Sequence, residues 1–369
     1  MQLTRKIFMP NNSKSSDSIL VSVPKDERGF TLIEVIISMI IFLIVTGAIW
    51  GMLRIGEQSR SIVNEKVQLT KNVRVVLNIL GRDTYNAGFA YPLRNTVVLP
   101  DNRISALLGI PNDFDTTRDT VPPIIAGNDI TLNTINSTPN TRTDQVTFLF
   151  KDSSFNLIGP IGSEVSQPLN INAATTVSGI DEIVPISGSN AACRVNDIFL
   201  VTGNTGSALA LVTGLNGGNI VQFSNGDVLG FNQTGAGGTL RGITTPASMQ
   251  RVKITTYFVT ADGTLTRREY ANVTPVVPAV SSVDEPLVYG VENFQIQYIL
   301  ADGTISNNPS AGPDGIPGTI DDIQGNLANV RQVRFTINVK STDLNPAGQP
   351  YQISQTSTFS TRNLGYDAN

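Results

Sequence analysis

Two small sets of residues in this chain have the type and placement to do chemistry. The first is Glu34. It is the single charged residue in the 24 residues from Phe30 to Leu53. A carboxylate at bilayer depth costs on the order of 2.5–3.5 kcal/mol, somewhat less near an interface. A group that costly calls for a partner that offsets its desolvation. The second set is Asp314, Asp321 and Asp322, gathered among Gly312, Gly315 and Gly318 in one loop, close in sequence to Asn307 and Asn308. Calcium takes about six to eight oxygens from carboxylates, carbonyls and amides, and such a loop supplies several. The spacing is not that of an EF-hand, and a plain polar turn explains the same residues.

Composition removes most other chemistry. The chain has 369 residues, a net charge of −4 and no histidine. Without imidazole there is no Ser-His-Asp triad, no His-ligated zinc and no His acid–base catalysis. Cys193 is the only cysteine, so no intramolecular disulfide staples the fold, and a small buried hydrophobe is its plain reading. Lys253 and Lys340, the bases a serine nucleophile would need, sit in alternating strand patterns and read as solvated. The acidic balance and scattered aromatics give no nucleic-acid footprint. Gly-rich runs at 214–218 and 235–238 lack the Lys-Ser/Thr of a P-loop and read as hairpin loops. An enzyme is not expected. Only 15% of residues are charged, against about 25% in typical soluble domains.

The element that positions Glu34 is the apolar run itself. As a helix, Phe30–Leu53 covers roughly 36 Å, enough for the ~30 Å hydrocarbon core of a bilayer. It is longer than a secretory h-region, and Arg54-Ile55-Gly56-Glu57 behind it is no Ala-x-Ala site. Nearby charges do not orient it: Lys14, Lys25 and Arg28 on one side are balanced by Arg54, Arg60, Lys66 and Lys71 on the other. Gly47 and Gly51 give a small-xxx-small spacing, either a packing point in lipid or glycine without purpose.

The junction Arg28-Gly29-Phe30-Thr31-Leu32-Ile33-Glu34 resembles the prepilin peptidase site of type IV pilins and type II secretion pseudopilins. The resemblance implies that a membrane aspartyl peptidase cuts between Gly29 and Phe30, and that the new terminal Phe30 is N-methylated. It implies that Glu34 pairs with the terminal amine of a neighbouring subunit during assembly, and it places the amino terminus in the cytoplasm. The leader, 1–29, is longer than the short leaders of many family members.

Beyond the span, Ile55, Ile62, Leu69 and Val76 recur every seven residues, with Val73 and Leu80 on the adjoining row. With no proline in 30–91, one helix from about Phe30 to Tyr85, roughly 80 Å long, is expected. It should stop near Asn86–Pro92. Residues 92–143 read as surface loop with one or two short strands. Strands are expected at Gln145–Phe150, Asp197–Thr202, Ala208–Thr213, Arg251–Val259, Thr264–Tyr270, Glu292–Leu300, Val330–Lys340 and Tyr351–Arg362. Ala261-Asp262-Gly263 is read as a hairpin turn, and Ala301-Asp302-Gly303 as another. Three stretches are similar to PilW-type minor pilins: Gly81–Phe89 at the helix end, Leu287–Tyr298 as one strand, and Val330–Phe335 with the closing Thr361–Leu364.

The expected architecture is therefore α+β and pilin-like, with one long amino-terminal helix packed on an antiparallel β-rich head. Its parts are a cleaved leader (1–29), a transmembrane half-helix (30–53), an amphipathic half-helix (54–88) and a periplasmic or extracellular head (89–369). The resemblance implies a minor pilin that helps prime type IV pilus assembly from the bacterial inner membrane and reaches the cell surface in the pilus. Its partners would be prepilin peptidase, other pilins and minor pilins, and the inner-membrane assembly machinery. A type II secretion pseudopilin and a membrane-tethered binding protein with no filament are the alternatives. Calcium at Asp314, Asp321 and Asp322 is the one cofactor considered.

Overall fold

In the computed structural model the described residues are 29–92, 97–109, 118–135, 141–152, 167–171, 182–185, 194–216, 220–233, 238–240, 243, 247–270, 282–309, 329–344 and 349–364. The expected helix is present as α1, Leu32–Asn86, 55 residues long. It begins where the Thr31 carbonyl accepts the N–H groups of Glu34 (3.0 Å) and Val35 (3.3 Å). It stops where Gly88 adopts a left-handed φ of 76° and its N–H donates to the Leu149 carbonyl at 2.9 Å. A left-handed glycine just past the last turn is a common helix stop.

The chain divides into two compact units, Met1–Ser61 and Ile62–Asn369. In the first, α1 leaves its large apolar side chains exposed. In the second, the same helix buries Val73, Val76, Leu77 and Leu80. The heptad stripe is thus used selectively. Val73, Val76 and Leu80 are core, Leu69 packs partly buried against it, and Ile55 is exposed.

The first strands of the second unit are β1 (Val97–Leu99), β2 (Asp119–Thr120), β3 (Ile124–Leu132) and β4 (Arg142–Lys151), with a short helix, α2 (Arg103–Leu108), after β1. Next come β5 (Gln167–Ile171), β6 (Glu182–Pro185), β7 (Ile198–Gly203), β8 (Gly206–Leu211), β9 (Gly214–Asn216) and β10 (Ile220–Gln222). The long β11 (Ala247–Val259) is followed by β12 (Leu265–Tyr270) and β13 (Ser282–Val288). The last are β14 (Val291–Leu300), β15 (Ile305–Ser306), β16 (Val330–Leu344) and β17 (Pro350–Ser360). β1 to β13 form one thirteen-stranded sheet in which β11 is the hub, pairing with β4, β5, β7 and β12. The other sheet is β15-β14-β16-β17, antiparallel throughout.

One core joins α1 to both sheets. Val73, Val76, Leu77 and Leu80 cluster with Phe148, Tyr257 and Leu265 of the large sheet and with Phe294, Phe335 and Ile337 of the small one. Alternation along β16 does what period two requires: Val333, Phe335, Ile337 and Val339 are fully buried, and the residues between them are not. Gly81 lets the helix reach β17, because a Cβ there would run into the Phe359 ring.

Three expectations need correction. Residues 92–143 hold β1, α2, β2, the whole nine-residue strand β3 and the start of β4, rather than loop with one or two short strands. β3 hides in the sequence because Asn128-Asp129 interrupts its apolar run. The structure absorbs them as an irregularity between Gly127 and Thr131, with Asp129 at φ 51°. Leu287–Tyr298 is not one strand. Gly290, at φ 78°, separates β13 from β14, and the two belong to different sheets. The Gly-rich run after Thr213 opens as a strand, β9, paired with β10. The Asp262 and Asp302 turns form as expected, closing β11 on β12 and β14 on β15.

Candidate functional site

Glu34 lies in the first turn of α1. Thr31 and Glu34 also have the Thr-x-x-Glu spacing of a helix-start capping box, a signal the sequence reading did not use. A carboxylate in a first turn gains about 0.3–1 kcal/mol from the helix dipole. That is well short of the ~2.5–3.5 kcal/mol cost at bilayer depth. The helix dipole alone therefore falls short of the cost that a bilayer would impose on this charge. Ser38 Oγ donates to the Glu34 carbonyl at 2.8 Å, so that hydroxyl is satisfied within the helix and needs no outside acceptor.

Around Glu34 the surface is apolar. Between Phe30 and Leu53, 17 large hydrophobic side chains are exposed, Phe30 by 83% and Trp50 by 72%. At about 1.5–3 kcal/mol for burying each, the unburied total is on the order of 25–50 kcal/mol. That exceeds the ~5–15 kcal/mol net stability of a typical domain. The segment therefore belongs in an apolar surrounding: a bilayer, or other helices of its kind. α1 is the one described helix long and apolar enough to cross a membrane. Among the described residues, nothing beyond the local backbone lies within 4 Å of a Cβ built at Gly29, Gly47, Gly51 or Gly56, so packing within the described residues does not account for these glycines.

In the second unit, the end of α1 is fixed by a buried charge. Asp83 is 1% exposed. Its Oδ2 accepts from Tyr257 Oη at 2.6 Å and lies 3.6 Å from Arg267 Nε, which itself donates to Tyr257 Oη at 3.2 Å. Burial first, then the Asp83 charge and hydrogen bond, push the Tyr257 hydroxyl far above its ordinary range. Asp83 falls inside the Gly81–Phe89 stretch singled out by resemblance, but its clamp on β11 and β12 was not foreseen. An Asp on the buried face of an amphipathic helix is the signal that was available.

The two sheets are riveted by another buried carboxylate, Asp144 on β4. It accepts from the N–H of Asp129 (3.0 Å) and of Ile296 on β14 (2.7 Å). Burial raises its pKa to about 6 against those two bonds, which lower it. Lys253 and Lys340 are less solvated than their strand positions suggest. Each lies 3.4 Å from a glutamate, Glu269 and Glu292 respectively.

Among the predicted site residues, Gly29 and Phe30 lie just before α1 and Glu34 in its first turn, all exposed. Asp314, Asp321 and Asp322 lie outside the described residues, as do Cys193 and leader residues 1–28. The calcium reading therefore stays a proposal. No group of three or more His, Cys, Asp or Glu side chains suited to a metal occurs among the described residues.

A family model described as the prokaryotic N-terminal methylation motif matches residues 24–50. The match spans Gly29, Phe30, Glu34 and most of the exposed apolar helix. The motif supports a type IV pilin-like or pseudopilin-like precursor, and the helix is consistent with membrane anchoring. No curated protein matches the chain.

Proposed function

We propose that this protein is a minor pilin of PilW type that helps to prime assembly of a type IV pilus. Prepilin peptidase cuts after Gly29, Phe30 is N-methylated, and the apolar half of α1 holds the subunit in the inner membrane until it joins the filament. Glu34 then pairs with the Phe30 amine of a neighbouring subunit. An ammonium suits that contact, since pairing leaves neither charge uncompensated in an apolar surrounding. The observation that carries this reading is the coincidence of the methylation-motif match on 24–50 with an exposed apolar segment, 30–53, whose one charge sits in the first turn of α1. The large β-rich second unit supports a head displayed outside the filament core.

Replacement of Glu34 by Ala tests the mechanism. The variant is expected to be processed and membrane-bound like the parent, with piliation reduced at least several-fold by quantitative electron microscopy. Normal numbers of surface pili containing the variant would refute the pairing role.

A further inference from the structure

The small sheet ends in β17, an eleven-residue strand with no strand beyond it among the described residues. The N–H of Thr361 donates to the Arg331 carbonyl, and Gln332 stands opposite Ser360. In an antiparallel ladder, bonded and non-bonded pairs alternate. Odd-numbered residues of β17 therefore bond to β16. Gln352, Ser354, Thr356, Thr358 and Ser360 aim their N–H and C=O groups at the open side.

Such edges are ordinarily blunted by charge, proline or irregular pairing, and this chain does so elsewhere. The edge strand β13 carries Asp284, Glu285 and Pro286. The edge strand β3 is broken at Asp129. β17 opens on Pro350, next to an irregularity between Lys340 and Leu344, but from Tyr351 to Thr361 there is neither a charged residue nor a proline. Its inner row is also incompletely covered. Val339 and Val333 on β16 are fully buried, but Ile353 and Phe359 opposite them on β17 are only half-buried.

We propose that β17 pairs antiparallel with β17 of a second copy of this chain, about a twofold axis at Thr356. This register sets Gln352 against Ser360, Ser354 against Thr358 and Thr356 against itself, so the outward groups of each strand meet those of the other. No like charges are opposed. On the inner row it sets Ile353 of each copy against Phe359 of the other, a β-branched and aromatic pair of the kind that stabilises sheets. The half-buried residues of one copy are thus complemented by those of the next, which is the argument for a second copy over an unrelated extended segment.

The test uses the full chain in detergent micelles with Cys193→Ser as background. Facing residues in a bonded antiparallel pair have Cα atoms about 5.5 Å apart, within disulfide reach. Thr356→Cys is expected to form a covalent dimer on mild oxidation. Ser354→Cys and Thr358→Cys should each form no disulfide-linked dimer alone and form one when mixed. Thr356→Lys, with an unchanged circular dichroism spectrum, should lower the dimer fraction at least tenfold by sedimentation. A monomeric Thr356→Cys chain under oxidation overturns the proposal, and so does a mixed Ser354→Cys and Thr358→Cys sample that fails to cross-link. Ser354→Cys cross-linking to itself as readily as Thr356→Cys also overturns it, since that marks collision without register.

Discussion

Replacing Asp83 by Ala should destabilise the second unit by about 2–4 kcal/mol. Removing one partner of a buried ion pair costs about 3–5 kcal/mol when the other charge is left uncompensated. Here Arg267 keeps Glu269 at 3.3 Å and Glu285 at 3.5 Å, which lowers the figure. Tyr257 Oη loses its charged acceptor, a bond worth about 1.5–3 kcal/mol. Arg82, 64% exposed and 3.2 Å from Asp83 Oδ1, adds little, as surface pairs do. Asp83→Asn keeps an acceptor for Tyr257 and loses only charge, so about 1–2 kcal/mol is expected. The assay is guanidinium unfolding of the full chain in micelles, followed by far-UV circular dichroism. Fluorescence is unsuitable because the only tryptophan, Trp50, lies in the apolar half of α1. Asp83→Ala combined with Tyr257→Phe should be less destabilising than the sum of the two alone, by roughly 1–2 kcal/mol. An Asp83→Ala change below about 0.5 kcal/mol, or strict additivity in the cycle, would refute the clamp.

Asp144 makes stability depend on pH. Its folded pKa is raised from 3.8 to about 6, so the folded state holds the proton more tightly than the unfolded chain. Its stabilising contribution is fully present below about pH 4 and is lost as pH rises through about 6, a change of up to about 3 kcal/mol. Asp144→Asn should flatten that part of the stability curve, and an unaltered slope between pH 4 and 7 would contradict the assignment. Gly290→Ala should cost at least about 2 kcal/mol. Its φ of 78° disfavours any side chain, and a Cβ would meet the Lys340 carbonyl oxygen; a melting temperature unchanged from the parent would show that the β13–β14 turn relaxes freely.

The long helix was legible because its signals are local and strong: a proline-free run, an apolar half, then a heptad stripe ending at Gly88. The late strands were legible because β14, β16 and β17 alternate cleanly around Phe294, Phe335 and Phe359. β3 was not, since the Asn128-Asp129 irregularity is explained only by Asp144, fifteen residues away, taking the Asp129 N–H. The break at Gly290 was missed because Tyr289 and Val291 continue the apolar pattern while the chain changes sheet. Glu34 was legible as a cost, a charge alone in an apolar run. Asp83 was not, because its partners Tyr257 and Arg267 come from strands nearly two hundred residues later.

In the proposed function Phe30 becomes the methylated amino terminus of a subunit that assembles through Glu34. Intact mass and amino-terminal sequencing of the protein recovered from cells test it most directly. The expected product is a chain that begins at N-methylated Phe30 and lacks residues 1–29. A membrane-bound chain that retains its leader past Gly29, in cells that process their other prepilins, would contradict it.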